Sequence, residues 1–222
     1  MLYRLTHAIT SPALHLMFRP TVLGPEHVPV TGPVILASNH LSFFDSIVIP
    51  LVCPRQVAFL AKAEYFTGRG LRGTLNRLFF NATGMIPVDR SDTRAGKRSL
   101  DLALEHLDGG GAFGIYPEGT RSRDGRLYRG HTGLGLLALS SRAPVVPVAV
   151  AGTERIQPPG ARHVRPAKVT VRFGAPMRFD DLDGVAPARA RRELVDRVMA
   201  QIGAMSGQTP AGVYNIRLPG GN

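Results

Sequence analysis

The stretch Val34–Val52, VILASNHLSFFDSIVIPLV, decides the fold. It opens on Val34–Ala37, a run with no polar alternation, which suits a strand buried on both faces. It closes on Ser46–Val52, where Ile47, Val48, Ile49, Leu51 and Val52 read as a helix packed on a sheet. Between them lies the polar connection Asn39-His40-Leu41-Ser42-Phe43-Phe44-Asp45. A buried strand, a short polar turn and a helix form the opening unit of an α/β sheet, which binds ligands outside the carboxyl ends of its strands.

The same alternation runs outward from this unit. Val57–Leu60, Met85–Val88, Ala112–Tyr116, Val145–Val150 and Val169–Phe173 read as strands. Leu71–Phe80, Arg94–Leu107, Thr132–Ser141 and Ala188–Ile202 read as helices. Pro and Gly mark loops at Gly24–Pro33, at Gln157–Pro166 and after Ser206. There is no internal repeat. The expected architecture is α/β: a single domain, residues 20–206, with a central, mostly parallel sheet flanked by helices. Residues 1–19 are expected to form an amphipathic helical segment, with Leu2, Leu5, Ile9, Leu14, Met17 and Phe18 on its oily side and Pro12 as a break. Residues 207–222 read as a C-terminal tail.

Composition narrows the functional classes. A chain of 222 residues, 44% hydrophobic and 19% charged, buries a sizeable core and is not disordered. Cys53 is its one cysteine, so it forms no internal disulfide and reads as a small core residue in a reducing compartment. No Cys/His cluster has metal-binding spacing. The net charge of +11 rests on 24 arginines and 3 lysines, a surplus that favours anionic partners. The apolar stretches Pro33–Val52 and Gly133–Ala151 are interrupted by polar residues and prolines, so no transmembrane helix is expected. No signal peptide is expected either. The protein is accordingly expected in the cytoplasm or on the cytoplasmic side of the cell membrane, as a peripheral protein touching anionic lipid.

Candidate chemistry gathers at strand ends. His40 and Asp45 stand five residues apart across a turn, where a carboxylate can take one ring N–H and leave the other nitrogen as a base. That is the His–Asp half of a catalytic triad, with a substrate hydroxyl replacing the serine. The competing structural reading has His40 capping a helix and Asp45 bonding backbone amides near its start. Tyr116-Pro117-Glu118-Gly119-Thr120-Arg121-Ser122 ends another strand, and Arg123, Arg126, Arg129 and His131 follow it. Forked guanidinium donors beside glycines suit a phosphate, with Glu118 as the carboxylate that orients the arginines. A solvated basic loop is the competing reading there. Asp89 and Arg90 close the run Gly84–Arg90, and Lys62 follows Val57–Leu60. A base beside a cationic anion site would hold a phosphate-bearing acceptor with its hydroxyl at the base.

With these stretches in view, the chain resembles the 1-acylglycerol-3-phosphate O-acyltransferase family, the PlsC-type glycerophospholipid acyltransferases. The resemblance rests on four ordered blocks, NHLSFFD (39–45), GMIPVDR (84–90), YPEGTRS (116–122) and VVPVAV (145–150). It implies that His40 is the general base and Asp45 its charge partner, with direct attack of the acceptor hydroxyl on an acyl thioester. It implies an acceptor-phosphate site at Arg90, Glu118, Gly119, Thr120 and Arg121, with Lys62 as a helper. VVPVAV is similar to the block associated with the acyl donor. The implied co-substrate is acyl-CoA or acyl carrier protein, with no metal and no bound cofactor. Lysophosphatidate is the leading acceptor, ahead of glycerol 3-phosphate or another lysophospholipid. A nucleic-acid-binding module would need interleaved aromatics, and at 7% aromatic with no Trp the chain lacks them, so no nucleic acid is expected as a partner.

Overall fold

The computed structural model describes residues 15–68, 70, 73–74, 84–88, 95–158, 161 and 163–216. Among these, seven strands form one sheet: β1 (Thr21–Leu23), β2 (Val34–Ser38), β3 (Val57–Lys62), β4 (Ile86–Val88), β5 (Ala112–Ile115), β6 (Val145–Ala151) and β7 (Thr170–Phe173). Their order across the sheet is β1-β7-β6-β2-β5-β3-β4. Every neighbouring pair is parallel except β6 and β7. The helices are α1 (Asp45–Val52), α2 (Glu64–Thr67), α3 (Ala95–Asp108), α4 (Gly133–Ser141) and α5 (Pro187–Ser206).

β2 runs through the centre, where Leu36 stands opposite Gly114 of β5 and Val146 of β6. All five of its residues are buried. Successive side chains on a strand point to opposite faces, so an unbroken apolar run supplies two cores. Val34 and Leu36 pack with Val48 and Ile49 of α1, with Phe59 and with Val148. Ile35 and Ala37 pack with Leu134 and Leu137 of α4 and with Leu194 and Val198 of α5.

β2 and β5 are neighbours that send their following helices, α1 and α4, to opposite faces of the sheet. Such a divergence opens a crevice at the carboxyl ends of the two strands. α5 lays Ala190, Leu194, Val195, Val198, Met199 and Ile202 against the second core, a stripe at helical spacing. Pro187 opens that helix and Gly207, at φ 68°, closes it in the left-handed conformation that glycine takes without strain.

Several details depart from the sequence reading. β1 was not foreseen, because three residues after a proline carry no readable periodicity. β3 runs on to Lys62, and α5 to Ser206. The helix expected over Leu71–Phe80 lies almost wholly outside the described residues. Of the expected N-terminal segment only its end is described: 15–18 form a helical turn that buries Phe18, whose ring meets Phe44 edge-on at 5.9 Å. No helix among the described residues is long and apolar enough to cross a membrane. The tail, as far as Ile216, lies along the loop after β5. Leu127 N–H donates to Thr209 O (3.0 Å), Ala211 N–H to Leu127 O (2.8 Å) and Arg129 N–H to Val213 O (2.9 Å).

Candidate active site

Where β2 ends, Asn39 extends the sheet with its side chain. Its Oδ1 accepts from Val150 N–H at 2.8 Å and its Nδ2 donates to Val150 O at 2.9 Å. The amide thus takes the place of a backbone partner for β6, and the main chain is free to turn at His40. Glu118 Oε1 accepts the His40 N–H at 2.9 Å, and His40 O accepts the Ser122 N–H at 2.7 Å. The His40 backbone is therefore clamped on both sides by the loop after β5.

The His40 ring is held as firmly. Nδ1 lies 2.8 Å from Asp45 Oδ2, and the ring stacks on Tyr116 at a centroid distance of 3.8 Å and 10° between planes. Tyr116 stacks in turn on Phe59 at 5.3 Å, and its hydroxyl meets Ser46 Oγ at 2.8 Å. Burial, reinforced by the nearby Asp45 charge, pushes the Tyr116 phenol well above its ordinary range, so the stacking partner stays neutral.

Asp45 is fully buried at the first position of α1. Its Oδ2 also accepts the N–H groups of Leu41 (2.7 Å) and Ser42 (2.8 Å). An oxygen that takes two main-chain donors is an acceptor, so Nδ1 of His40 donates to it, which in the neutral tautomer leaves the lone pair on Nε2. One oxygen thus serves both the ring and the main chain of the turn before α1, and it caps no amide of the helix itself. Among the described residues Nε2 has no hydrogen-bond partner, and the side chain keeps 16% of its surface open.

Glu118 differs from its expected part as an arginine orienter. Tyr116-Pro117-Glu118-Gly119 is a turn closed by Gly119 N–H to Tyr116 O at 3.0 Å, with proline at its second position. Gly119 has φ 75°, and a Cβ there would sit 3.0 Å from the His131 ring. The turn drives the Glu118 carboxylate inward to complete burial, where Oε1 and Oε2 accept the main-chain N–H groups of His40 and Tyr128, each at 2.9 Å. It makes no ion pair with an arginine among the described residues. Burial lifts its pKa from 4.5 to about 7 against the opposing pull of those two donors.

The arginines divide into groups with different neighbours. Arg126 is paired with Asp124 at 2.7 Å, which holds that carboxyl far below its usual range, and Arg129 lies over the Tyr214 ring at 5.3 Å. Arg121 and Arg123 border two hollows. One, of about 720 Å³, runs from Leu41 and Ser42 of the His40 turn past Val150 to Arg155 and Arg165. The other, of about 340 Å³, is closed by Thr120, Tyr128 and Tyr214.

Lys62 ends β3 opposite Val88 of β4, which brings its backbone to the same edge of the sheet as His40 and Glu118. Its side chain, and Arg90 as a whole, lie outside what is described. Sequence reasoning missed Asn39, Tyr116, Arg155, Arg165 and Gln208 as parts of this constellation. Only the first two sat within stretches that attracted attention. No group of three or more His, Cys, Asp or Glu that could hold a metal occurs among the described residues.

Residues 19–151, more than half of the chain, match the family described as Acyltransferase. The chain belongs to the acyltransferase family. Other comparisons agree. A 1-acyl-sn-glycerol-3-phosphate acyltransferase of Limnanthes douglasii is 34% identical over 161 residues, which cover 72% of this chain and 55% of that one. A Bacillus subtilis protein of the same description is 28% identical over 72% of this chain and 74% of its own. The crystal structure of the 1-acyl-sn-glycerophosphate acyltransferase PlsC from Thermotoga maritima superposes with a TM-score of 0.62 at 28% identity, covering 83% of this chain and 72% of that one. The chain spans about half the length of the plant relatives it matches, 55% in Limnanthes douglasii and 43% in Brassica napus. Within the acyltransferase match fall His40, Asp45 and the whole loop 116–131, whereas 207–216 lie beyond it.

Proposed function

We propose that this acyltransferase moves a fatty acyl group from a thioester carrier to the free hydroxyl of 1-acylglycerol 3-phosphate, giving phosphatidate. The carrying observation is the His40 ring: Nδ1 toward Asp45, the plane fixed against Tyr116, and Nε2 available. The names of relatives from Limnanthes douglasii, Bacillus subtilis and Thermotoga maritima support the choice of acceptor.

In the proposed chemistry the acceptor phosphate rests on the guanidinium wall headed by Arg121, which holds the hydroxyl near His40. Nε2 takes the hydroxyl proton as the oxygen attacks the thioester carbonyl. The resulting imidazolium is stabilised by Asp45, whose carboxylate stays in place through its bonds to Leu41 and Ser42. Collapse of the tetrahedral intermediate breaks the C–S bond, forms the ester, and returns the proton from Nε2 to the departing thiolate. The carrier is acyl-CoA or acyl carrier protein. Glu118 belongs to this scheme as a positioning residue for the His40 backbone, and Lys62 and Arg90 as further cations of the acceptor site.

The test is thiol release from palmitoyl-CoA with lysophosphatidate and glycerol 3-phosphate offered separately. Release is expected to depend on lysophosphatidate and to fall by about two to four orders of magnitude in His40→Ala, the usual cost of removing a general base. Near-normal turnover in a folded His40→Ala protein would sink the mechanism. Release that depends only on glycerol 3-phosphate would replace the acceptor.

A further inference from the structure

The segment beyond α5 lies outside the family match, yet it reaches the centre of the site. Gln208 is its pivot. Its Oε1 accepts from Asn39 Nδ2 at 2.7 Å, and its own Nε2 donates to Gly125 O at 2.8 Å. Asn39 immediately precedes His40, and Gly125 lies in the arginine loop. One side chain therefore bridges the strand end that presents the base and the loop that presents the cations. Downstream, three main-chain bonds stitch 209–213 to Leu127 and Arg129, and Asn215 Nδ2 reaches Thr120 O (3.4 Å) and Arg121 O (3.2 Å). Tyr214 secures the strap from the other side, stacked on His131 at 4.9 Å with its hydroxyl 3.2 Å from Arg192 of α5.

We propose that residues 208–216 form a strap that holds the outer part of the arginine loop, 120–129, in place relative to the His40 turn, with Gln208 as a positioning residue for acceptor binding. The inference rests on the acyl-transfer reading for its kinetic consequence and on the hydrogen bonds alone for its structural one. The near end of the loop is tied to His40 through Glu118 and Ser122. Beyond the glycine turn at Gly125 (φ 78°) the strap adds bonds at Gly125, Leu127 and Arg129 to the one Glu118 makes with Tyr128. An acceptor whose phosphate and hydroxyl are held by two different segments binds well only when those segments keep a set separation.

The decisive variant is Gln208→Ala, combined with Arg121→Ala in a double-mutant cycle. Alone, Gln208→Ala is expected to raise the acceptor KM about tenfold, as for loss of two side-chain hydrogen bonds that join separate segments, with kcat and the acyl-donor KM changed less than about threefold. In the Arg121→Ala background it should add under about twofold, because a loop that has lost its main phosphate contact gains nothing from being positioned. A change in kcat with an unaltered acceptor KM, or effects that multiply independently, would overturn the proposal. Hydrogen exchange of the full chain provides an arm free of activity. Gln208→Ala should speed exchange across 119–131, and unchanged exchange there refutes the strap even if turnover is lost. A wild type without acyl transfer that still shows this exchange response would condemn the proposed reaction and leave the strap standing. Should Gln208→Ala fold poorly, Asn215→Ala, whose side chain donates to the loop carbonyls of Thr120 and Arg121, is expected to show the same KM signature at smaller size, and its absence would count against the strap.

Discussion

Both oxygens of Glu118 accept a main-chain N–H, an arrangement a glutamine cannot reproduce because its NH2 would face one of those donors. Glu118→Gln should therefore destabilise the fold by about 1–3 kcal/mol, the range for a buried donor left unmatched, and lower turnover by loosening His40. Urea denaturation and thiol-release assays would show it. The pH dependence has a definite sign. The folded protein keeps a proton on Glu118 up to about pH 7, whereas an ordinary carboxyl loses it near 4.5. Between those values the unfolded chain binds fewer protons, so this residue's contribution to stability falls as pH rises. The gap in thermal midpoint between wild type and Glu118→Gln should narrow from pH 4.5 to 7, and a widening gap would show that the carboxyl is not so perturbed. At this scale the sequence displayed the His40–Asp45 pair, because five residues across a turn is a local matter. It hid the partners of Glu118, since main-chain amides leave no trace in a motif and the neighbouring arginines offered a more obvious bond that none of the described ones makes.

The ring stack behind His40 depends on how two strands meet. Phe59 of β3 stands opposite Gly114 of β5, and a Cβ on Gly114 would lie 2.1 Å from the Phe59 ring tip. Phe59 is buried and supports Tyr116, which supports His40, so the ring cannot swing into open space. Gly114→Ala is expected to cost about 1–3 kcal/mol through overpacking and to lower kcat as the stack shifts. Gly133→Ala at the start of α4 is the comparison, since its new methyl meets nothing nearer than Leu100 at 3.9 Å. It should be neutral or mildly stabilising, by up to about 1 kcal/mol. Equal denaturation midpoints for the two variants would remove the packing argument. The strands themselves were plain in the sequence because runs such as Val34–Ala37 and Val145–Val150 have no polar face. The need for glycine at 114 was not, because it arises only when β3 and β5, far apart in sequence, are laid side by side.

Across the whole molecule, long-range order was what the sequence concealed. Gln208 meets Asn39 across 169 positions, and the strap's Gln-Thr-Pro opening carries neither helical nor strand periodicity, so it read as a tail. Net charge, by contrast, is a whole-chain property and was legible at once. A formal +11, with Arg121, Arg123, Arg155 and Arg165 all on one cleft, creates a field that draws in anions. Beside the arginine loop the strap also exposes Val213 (57%) and Ile216 (78%). Cations next to exposed aliphatic groups would suit an anionic lipid surface, where the lysophospholipid acceptor proposed above would reside. The protein is expected to co-sediment with phosphatidylglycerol-containing vesicles at low salt and to be released near 1 M salt, where screening falls to about 3 Å. Vesicles of phosphatidylcholine alone should retain little. Retention on both kinds at high salt would mean that apolar insertion, not charge, holds the protein to lipid. No retention on either would mean that the cationic cleft acts on the phosphates of dissolved substrates alone, and that the acceptor reaches His40 from solution.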